Sequence, residues 1–404
     1  MTLMPQNSEI LKDARFLSGN AELILNSGGV PALGVCSKEV LDFFDALSRI
    51  LMTSKKARAF SDVIAWAFWI RRASLEKLAK RFADTRNLRL GRGFAFHIAP
   101  SNVPVNFAVS MTSSLLAGNI TAVRVPSRDF AQIGIISDAI NSLMDEGFEY
   151  MRPYIALMRY GHDKSINDYL SARCDLRVVW GGDATVAEIR TSPLPARAIE
   201  LEFPDRYSLC FINSDEYLKQ DPKRIAELFY TDTYYSDQNA CSSPRALVWL
   251  GSSRDEARER FYDALYELVK KRYHMDPILA VDKLNAFCEL AASGRRPRLC
   301  KKDNTLVRVK VQSVDEALMD YKMSGGYFFD YDAQTPEDAL PLMGKRCQSV
   351  SCLGIEPEKI AIMALRHGVR GIDRVVRMGH TMDLSFIWDG FDMVSAMSRV
   401  ITVG

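Results

Sequence analysis

Gly93-Phe-Ala-Phe-His-Ile-Ala99 is a short apolar run that enters from a glycine and leaves into the turn residues Pro100-Ser101-Asn102. Thr121-Ala-Val-Arg-Val125, Tyr154-Ile-Ala-Leu-Met158 and Leu176-Arg-Val-Val-Trp180 repeat the pattern, each short, apolar and partly β-branched. Such runs read as strands buried on both faces. Helix-like segments, Phe107 to Leu116 and Gln132 to Met144, separate the first three. Strands alternating with helices of that length predict a parallel sheet in an α/β fold.

Upstream, Val40, Leu41, Phe44, Leu47 and Ile50 fall at helical spacing and Asp62 to Phe82 continues the pattern, so residues 38–84 read as helices leading into the sheet. Downstream, Ala198 to Phe203 and Ser208 to Ile212 read as a further strand pair, Ser253 to Arg272 as an amphipathic helix, and residues 306–311 and 327–331 as strands. A chain of 404 residues exceeds what one core usually supports. The expected division is a first domain over residues 1–215, a second α/β domain over 216–375, and a tail, 376–404, that returns to the first domain or to another subunit.

Hydrophobic residues make up 48% of the chain and charged residues 25%, an ordinary globular balance. The net charge of +2, with no basic stripe interleaved with aromatics, sets nucleic acid aside as a partner. The first ten residues lack a basic region followed by an apolar one, and no apolar run reaches the ~18 residues of a membrane span, so a cytoplasmic protein without a membrane span is expected. The eight cysteines are dispersed, with no C-x-x-C pair and no histidine at ligand spacing; free thiols and no metal are expected. Most of them read as small core residues.

Cys241 stands apart. It lies in Ser236-Asp-Gln-Asn-Ala-Cys-Ser-Ser-Pro-Arg245, a polar loop of small side chains directly before the apolar run Ala246 to Leu250. A reactive thiol needs that kind of exposure.

In order along the chain, Pro100-Ser-Asn-Val-Pro104, Gly118-Asn119, Arg124-Val-Pro-Ser-Arg128, Gly181-Gly-Asp183 and the Cys241 loop resemble the aldehyde dehydrogenase superfamily. Trp180-Gly-Gly-Asp183, Phe203-Pro-Asp-Arg-Tyr-Ser208, Ala240-Cys-Ser-Ser-Pro244, Gly371-Ile-Asp-Arg374 and Ile387-Trp-Asp-Gly390 bring the likeness closer to the acyl-CoA reductase branch, the long-chain fatty acid reductases of bacterial luminescence systems. The resemblance runs from residue 90 onward. It implies an aldehyde dehydrogenase-like α/β architecture, with a nucleotide-binding parallel-sheet domain and an α/β catalytic domain carrying the cysteine nucleophile.

Under that resemblance Cys241 attacks an acyl thioester and carries the acyl group. The side-chain amide of Asn102, with backbone N–H groups, stabilises the oxyanion; Asn102 equally suits a turn. Glu202 falls at the superfamily's general-base glutamate, although Phe203-Pro204 replaces the usual glycine pair after it. Glu200 shares its strand face, and an ion-paired strand carboxylate is the other reading of either.

No G-x-G-x-x-G opens a helix after a strand, since Gly91-Arg-Gly93 precedes its strand. The resemblance instead assigns Pro100, Ser101, Gly181, Gly182 and Asp183 to the cofactor, with its pyrophosphate near a helix start. Val125, Pro126, Ser127 and Arg128 stand where the superfamily commonly carries Lys-Pro-Ser-Glu, and Arg124 is a second candidate beside them. A guanidinium in place of that carboxylate suits a 2′-phosphate, hence NADPH. The basic residues Arg71, Arg72, Lys77, Lys80, Arg81, Arg86, Arg89 and Arg92 read either as a solvated face or as an attractor for a CoA phosphate. His97, in an apolar strand, reads as an interior residue.

The implied activity is NADPH-dependent reduction of an acyl-CoA or acyl-protein thioester to the aldehyde through an acyl-cysteine. The implied companions are an acyl-protein synthetase or acyl-transferase and further copies of the chain. Two alternatives stand: NAD(P)-dependent aldehyde oxidation, hydrolytic or CoA-acylating, and a non-catalytic scaffold in an acyl-transfer complex.

Overall fold

The computed structural model describes residues 8–84 and 86–404. They divide into two units, one running up to Pro204 and resuming at Leu384–Gly404, the other Asp205–Asp383. The first unit holds strands β1 (Arg15–Ser18), β2 (Asn87–Gly91), β3 (Phe94–Ile98), β4 (Ile120–Arg124), β5 (Ile155–Arg159), β6 (Leu176–Trp180) and β7 (Ile199–Phe203). Six of them form one sheet in the order β1-β5-β4-β3-β6-β7, parallel throughout except for β1.

Every residue of β3 and β6 is buried, which explains their largely apolar character, broken only by His97 and Arg177. The connecting helix Asn106–Leu116 is likewise buried along its whole length, and Ala131–Asp145 buries an apolar stripe. Ahead of the sheet, Lys38–Thr53 places Val40, Leu41, Phe44 and Leu47 in the core at helical spacing, followed by Ser61–Trp69 and Arg72–Ala79. β2 pairs antiparallel with Ser398–Thr402 in a separate two-stranded sheet.

Four residues of the basic run around β2 make internal contacts. Arg72 pairs with Asp42 and Glu76, Arg81 with Asp392, Arg89 donates to the Ser395 carbonyl and Ser398 Oγ, and Arg92 to the Ala396 carbonyl.

The second unit carries β8 (Tyr207–Asn213), β9 (Pro244–Leu250), β10 (Arg298–Asp303), β11 (Leu306–Val311), β12 (Tyr327–Asp332), β13 (Cys347–Leu353) and β14 (Arg374–Arg377). Their order is β10-β11-β12-β9-β8-β13-β14, and only β10 runs antiparallel to its neighbour. The helix Arg254–Arg272 packs Phe261, Tyr262 and Leu265 against this sheet in a core with Trp249 and Phe328.

The strand pair expected at 198–212 is not a pair. β7 bonds only to β6, whereas β8 bonds to β9 and β13, because Pro204 interrupts the strand and the chain passes into the second sheet. The division therefore falls after Pro204 rather than at 215. It falls again after Asp383 rather than at 375, with β14 still bonded to β13.

Candidate functional site

In the first unit the strand order reverses at β3: the chain builds β4 and β5 on one side, then β6 and β7 on the other. Open α/β sheets bind ligands at such a reversal, outside the carboxyl ends of the strands. Three of the loops singled out from sequence leave the carboxyl ends of the adjacent strands β4, β3 and β6.

After β3, Pro100 is half-buried while Ser101 and Asn102 are exposed. After β4, Pro126 is buried and Ser127 and Arg128 are exposed. Arg124 donates to the Gly161 carbonyl at 2.8 Å and lies 4.7 Å from the Tyr160 ring, whereas Arg128 sits over Phe130 at 5.0 Å. After β6, Gly182 caps the helix Asp183–Arg190. A Cβ on Gly181 would stand 2.9 Å from the Thr185 methyl group, so a larger residue there would displace that side chain. The bare Gly181-Gly182 backbone and the helix start fit an anionic group, and the exposed Asp183 carboxylate at the first helical position is favoured by the same dipole.

Glu200 and Glu202 share one face of β7. Arg177 and Arg190 hold Glu200 at 2.5 and 2.8 Å, and Arg190 also pairs with Glu202. On the opposite face Phe203 stacks on Trp180 with centroids 3.9 Å apart. Trp388 meets Trp180 edge-on at 5.6 Å and Phe391 meets Phe203 at 5.9 Å. Three of the branch motifs thus build one aromatic cluster. His97 is buried with Nδ1 2.7 Å from Ser110 Oγ, and burial holds its imidazole down to about 3, which keeps it neutral.

In the second unit the chemistry gathers at the opposite edge, where parallel strands begin. Asp205 and Arg206 precede β8, Cys241 precedes β9, Lys322 and Met323 precede β12, Arg346 precedes β13 and Asp373 precedes β14. Cys241 Sγ lies 3.7 Å from Asp205 Oδ1, and Lys322 Nζ donates to Asp205 Oδ2 at 2.5 Å. Ser208 Oγ donates to the Cys241 carbonyl at 2.7 Å. Arg245 is buried and donates to the Met323 carbonyl at 2.6 Å. Burial pulls its guanidinium down to about 10, opposed by the nearby Cys241 and Asp205.

The loop is fixed from below by Gln238, which is fully buried. Its amide nitrogen donates to the Pro244 and Tyr327 carbonyls, both at 3.0 Å, and its oxygen accepts from the Gly326 and Tyr327 N–H groups at 2.9 and 3.0 Å. Asp237 and Gln238 both adopt left-handed backbone, φ 51° and 57°, which turns the chain into the cysteine segment. Gly326 approaches so closely that a Cβ there would meet the Thr305 carbonyl oxygen at 2.2 Å.

The segment bearing Asp205 is anchored too. Arg206 is buried, pairs with Asp373 and donates to the Cys347 carbonyl at 2.7 Å. Ile372, just before Asp373, is held at φ 62°, a strained position for a β-branched residue that its surroundings impose. Arg374 donates to the Thr381 and His380 carbonyls, and buried Asp232 accepts from Gly379 N–H, Thr381 N–H and Thr381 Oγ1 at 2.7–3.0 Å. Burial nonetheless pushes the Asp232 carboxyl up to about 6.

Burial pushes Cys36, Cys174 and Cys352 up to about 12, and Cys210 and Cys347 still higher. Cys288 is exposed on the helix Ile278–Ala292, outside this edge. Among the described residues no group of three or more His, Cys, Asp or Glu could hold a metal, and no helix is long and apolar enough to cross a membrane. Sequence reasoning missed Asp205, Gln238, Arg245 and Lys322 as neighbours of the cysteine. Asp205 lay within a motif already singled out, Phe203 to Ser208; Lys322 carried no local signal.

The model of the acyl-CoA reductase (LuxC) family matches residues 30–309, more than half of the chain. The chain belongs to that family. Among individual acyl-CoA reductase relatives, long-chain acyl-protein thioester reductase 2 of Photobacterium leiognathi is 26% identical over 215 residues, which cover 52% of this chain and 41% of that protein. The long-chain acyl-protein thioester reductase of Photorhabdus laumondii is 23% identical over 325 residues, covering 77% and 63%. The matched spans thus fall short of two thirds of those relatives. In three dimensions this acyl-CoA reductase family member is similar to an NAD-dependent benzaldehyde dehydrogenase from Corynebacterium glutamicum, with TM-score 0.62 and 13% identity over 91% of this chain and 86% of that one. The fold is aldehyde dehydrogenase-like.

Proposed function

We propose that the chain reduces an acyl thioester to an aldehyde, with Cys241 carrying the acyl group. The observation that carries this reading is the seat of Cys241: a half-buried thiol on a loop locked by Gln238, beside a carboxylate and two cations at the start of a parallel sheet. The family membership and the names of the relatives favour reduction of a long-chain acyl group delivered on CoA or on a partner protein such as an acyl-protein synthetase. Asn102 is the proposed side-chain donor to the oxyanion.

The loops after β3, β4 and β6 are the proposed cofactor cradle, with Gly181 and Gly182 facing the phosphates and Ser127 and Arg128 the adenosine ribose. NADPH bound there would supply the hydride that reduces the acyl-cysteine. The chain's own residues orient the thioester, hold the sulfur in place and accept or return its proton. Arg128 supports NADPH over NADH because it is the exposed guanidinium of the pair, Arg124 being engaged with Gly161.

The test incubates the full chain with acyl-CoAs of graded length, seeks a covalent adduct by intact mass, then adds NADPH or NADH and measures aldehyde. An adduct present in wild type and absent from Cys241→Ala, with aldehyde formed on NADPH addition, is expected. Arg128→Glu is expected to move the preference toward NADH. Identical behaviour of wild type and Cys241→Ala, or acid formed from aldehyde with no thioester reduction, refutes the reading.

A further inference from the structure

We propose that Asp205 is the proton acceptor for the Cys241 thiol and that Lys322 is the positioning residue that aims it. This rests on the acyl-cysteine reading of Cys241 and deepens it.

Three observations converge. First, a carboxylate touches the sulfur: Asp205 Oδ1 is 3.7 Å from Cys241 Sγ, within reach of an S–H donor. Glu202, at the superfamily's base position, pairs with Arg190 instead. Second, the two oxygens of Asp205 are divided between roles, since Lys322 occupies Oδ2 at 2.5 Å and so fixes the direction in which Oδ1 points. Lys322 is itself only 17% exposed, so its side chain is held in place and the direction is set from a packed position. Third, the backbone at Asp205 is placed by Arg206, buried and bonded to Asp373 and the Cys347 carbonyl, behind the strained Ile372. Strain of that kind persists where position matters more than stability. The titratable and charged groups facing Asp205 include Lys322, Arg245 and the Cys241 thiol.

The step balances without an oxidant or reductant. The S–H bond of Cys241 breaks as sulfur bonds to the acyl carbon, and the proton moves to Asp205 Oδ1. The carbon–sulfur bond of the incoming thioester breaks, and its thiolate takes that proton, which restores the carboxylate.

The experiment measures two rates on the full chain across pH. Intact mass follows acylation by an acyl-CoA, which needs the base; iodoacetamide alkylation of Cys241, located by peptide mapping, needs only thiolate. Asp205→Asn is expected to slow acylation on the order of 10²-fold near neutral pH, with the gap closing as pH approaches the ordinary thiol range of about 8.5. Alkylation of the same variant is expected to stay equal or to quicken, because a like charge has left the sulfur. Lys322→Met should slow acylation and Lys322→Arg should restore it.

Asp205 is 57% exposed, so asparagine there leaves packing intact. Equal acylation by wild type and Asp205→Asn across that pH range overturns the assignment, as does a parallel fall in acylation and alkylation. An adduct on Cys241→Ala, or none on wild type, overturns instead the acyl-cysteine reading and with it the role of Asp205.

Discussion

Replacing Gln238 should expose how much of the cysteine loop depends on one buried amide. The side chain makes four hydrogen bonds, two given and two received, to the backbone of Pro244, Gly326 and Tyr327. At a net worth of about 1 kcal/mol each, Gln238→Ala should lose about 4 kcal/mol, within a span of about 2 to 6. Backbone adds a second, opposing effect. Gln238 sits at φ 57°, where glycine escapes a penalty of about 1 kcal/mol that alanine keeps. Gln238→Gly should therefore be the more stable of the two variants by about that amount, although it removes more atoms. Guanidinium denaturation followed by circular dichroism gives the free energies. Hydrogen exchange at the amides of Gly326 and Tyr327 localises the loss. The reasoning fails if alanine costs less than about 1 kcal/mol, or if glycine proves weaker than alanine.

The buried Asp232 should imprint a pH dependence. Its carboxyl is raised to about 6 by burial, above the ordinary 3.8, so the native state holds the proton more tightly than the unfolded chain. Stability from this group is complete below the unfolded value and declines as pH rises through about 6, by about 3 kcal/mol in all. Denaturation of wild type and Asp232→Asn at pH values bracketing that window should show the variant lacking the decline. Glu202→Gln should alter aldehyde formation by less than about threefold if its carboxylate serves only the pair with Arg190, since a lost general base costs about 10² or more; single-turnover aldehyde release decides between the two roles.

The strands of the first sheet were legible because burial on both faces writes them as largely apolar runs, as in Phe94–Ile98 and Leu176–Trp180. The pairing of β2 with Ser398–Thr402 was not legible, because partners so far apart leave no local pattern and neither strand buries a full face. The separation of β7 from β8 was signalled by Pro204, but alternation alone cannot say to which sheet a strand goes. In the site, Cys241 was visible as a thiol in a polar loop. Its neighbours Asp205, Lys322 and Gln238 come together only when β8, β9 and β12 begin at the same edge, a fact of topology and not of spacing.

The return of Leu384–Gly404 to the first unit orders events during synthesis. Asn119 needs the Met397 carbonyl, β2 needs Ser398–Thr402, and Trp180 needs Trp388. None of these partners has been made when residue 205 leaves the ribosome. At about 5–20 residues per second the wait is on the order of 10 to 40 s, long on the scale of folding. The second unit, contiguous from Asp205 to Asp383, has all its residues before the first can close. In the interval β2 lacks its partner strand and Trp180 its edge-on contact with Trp388.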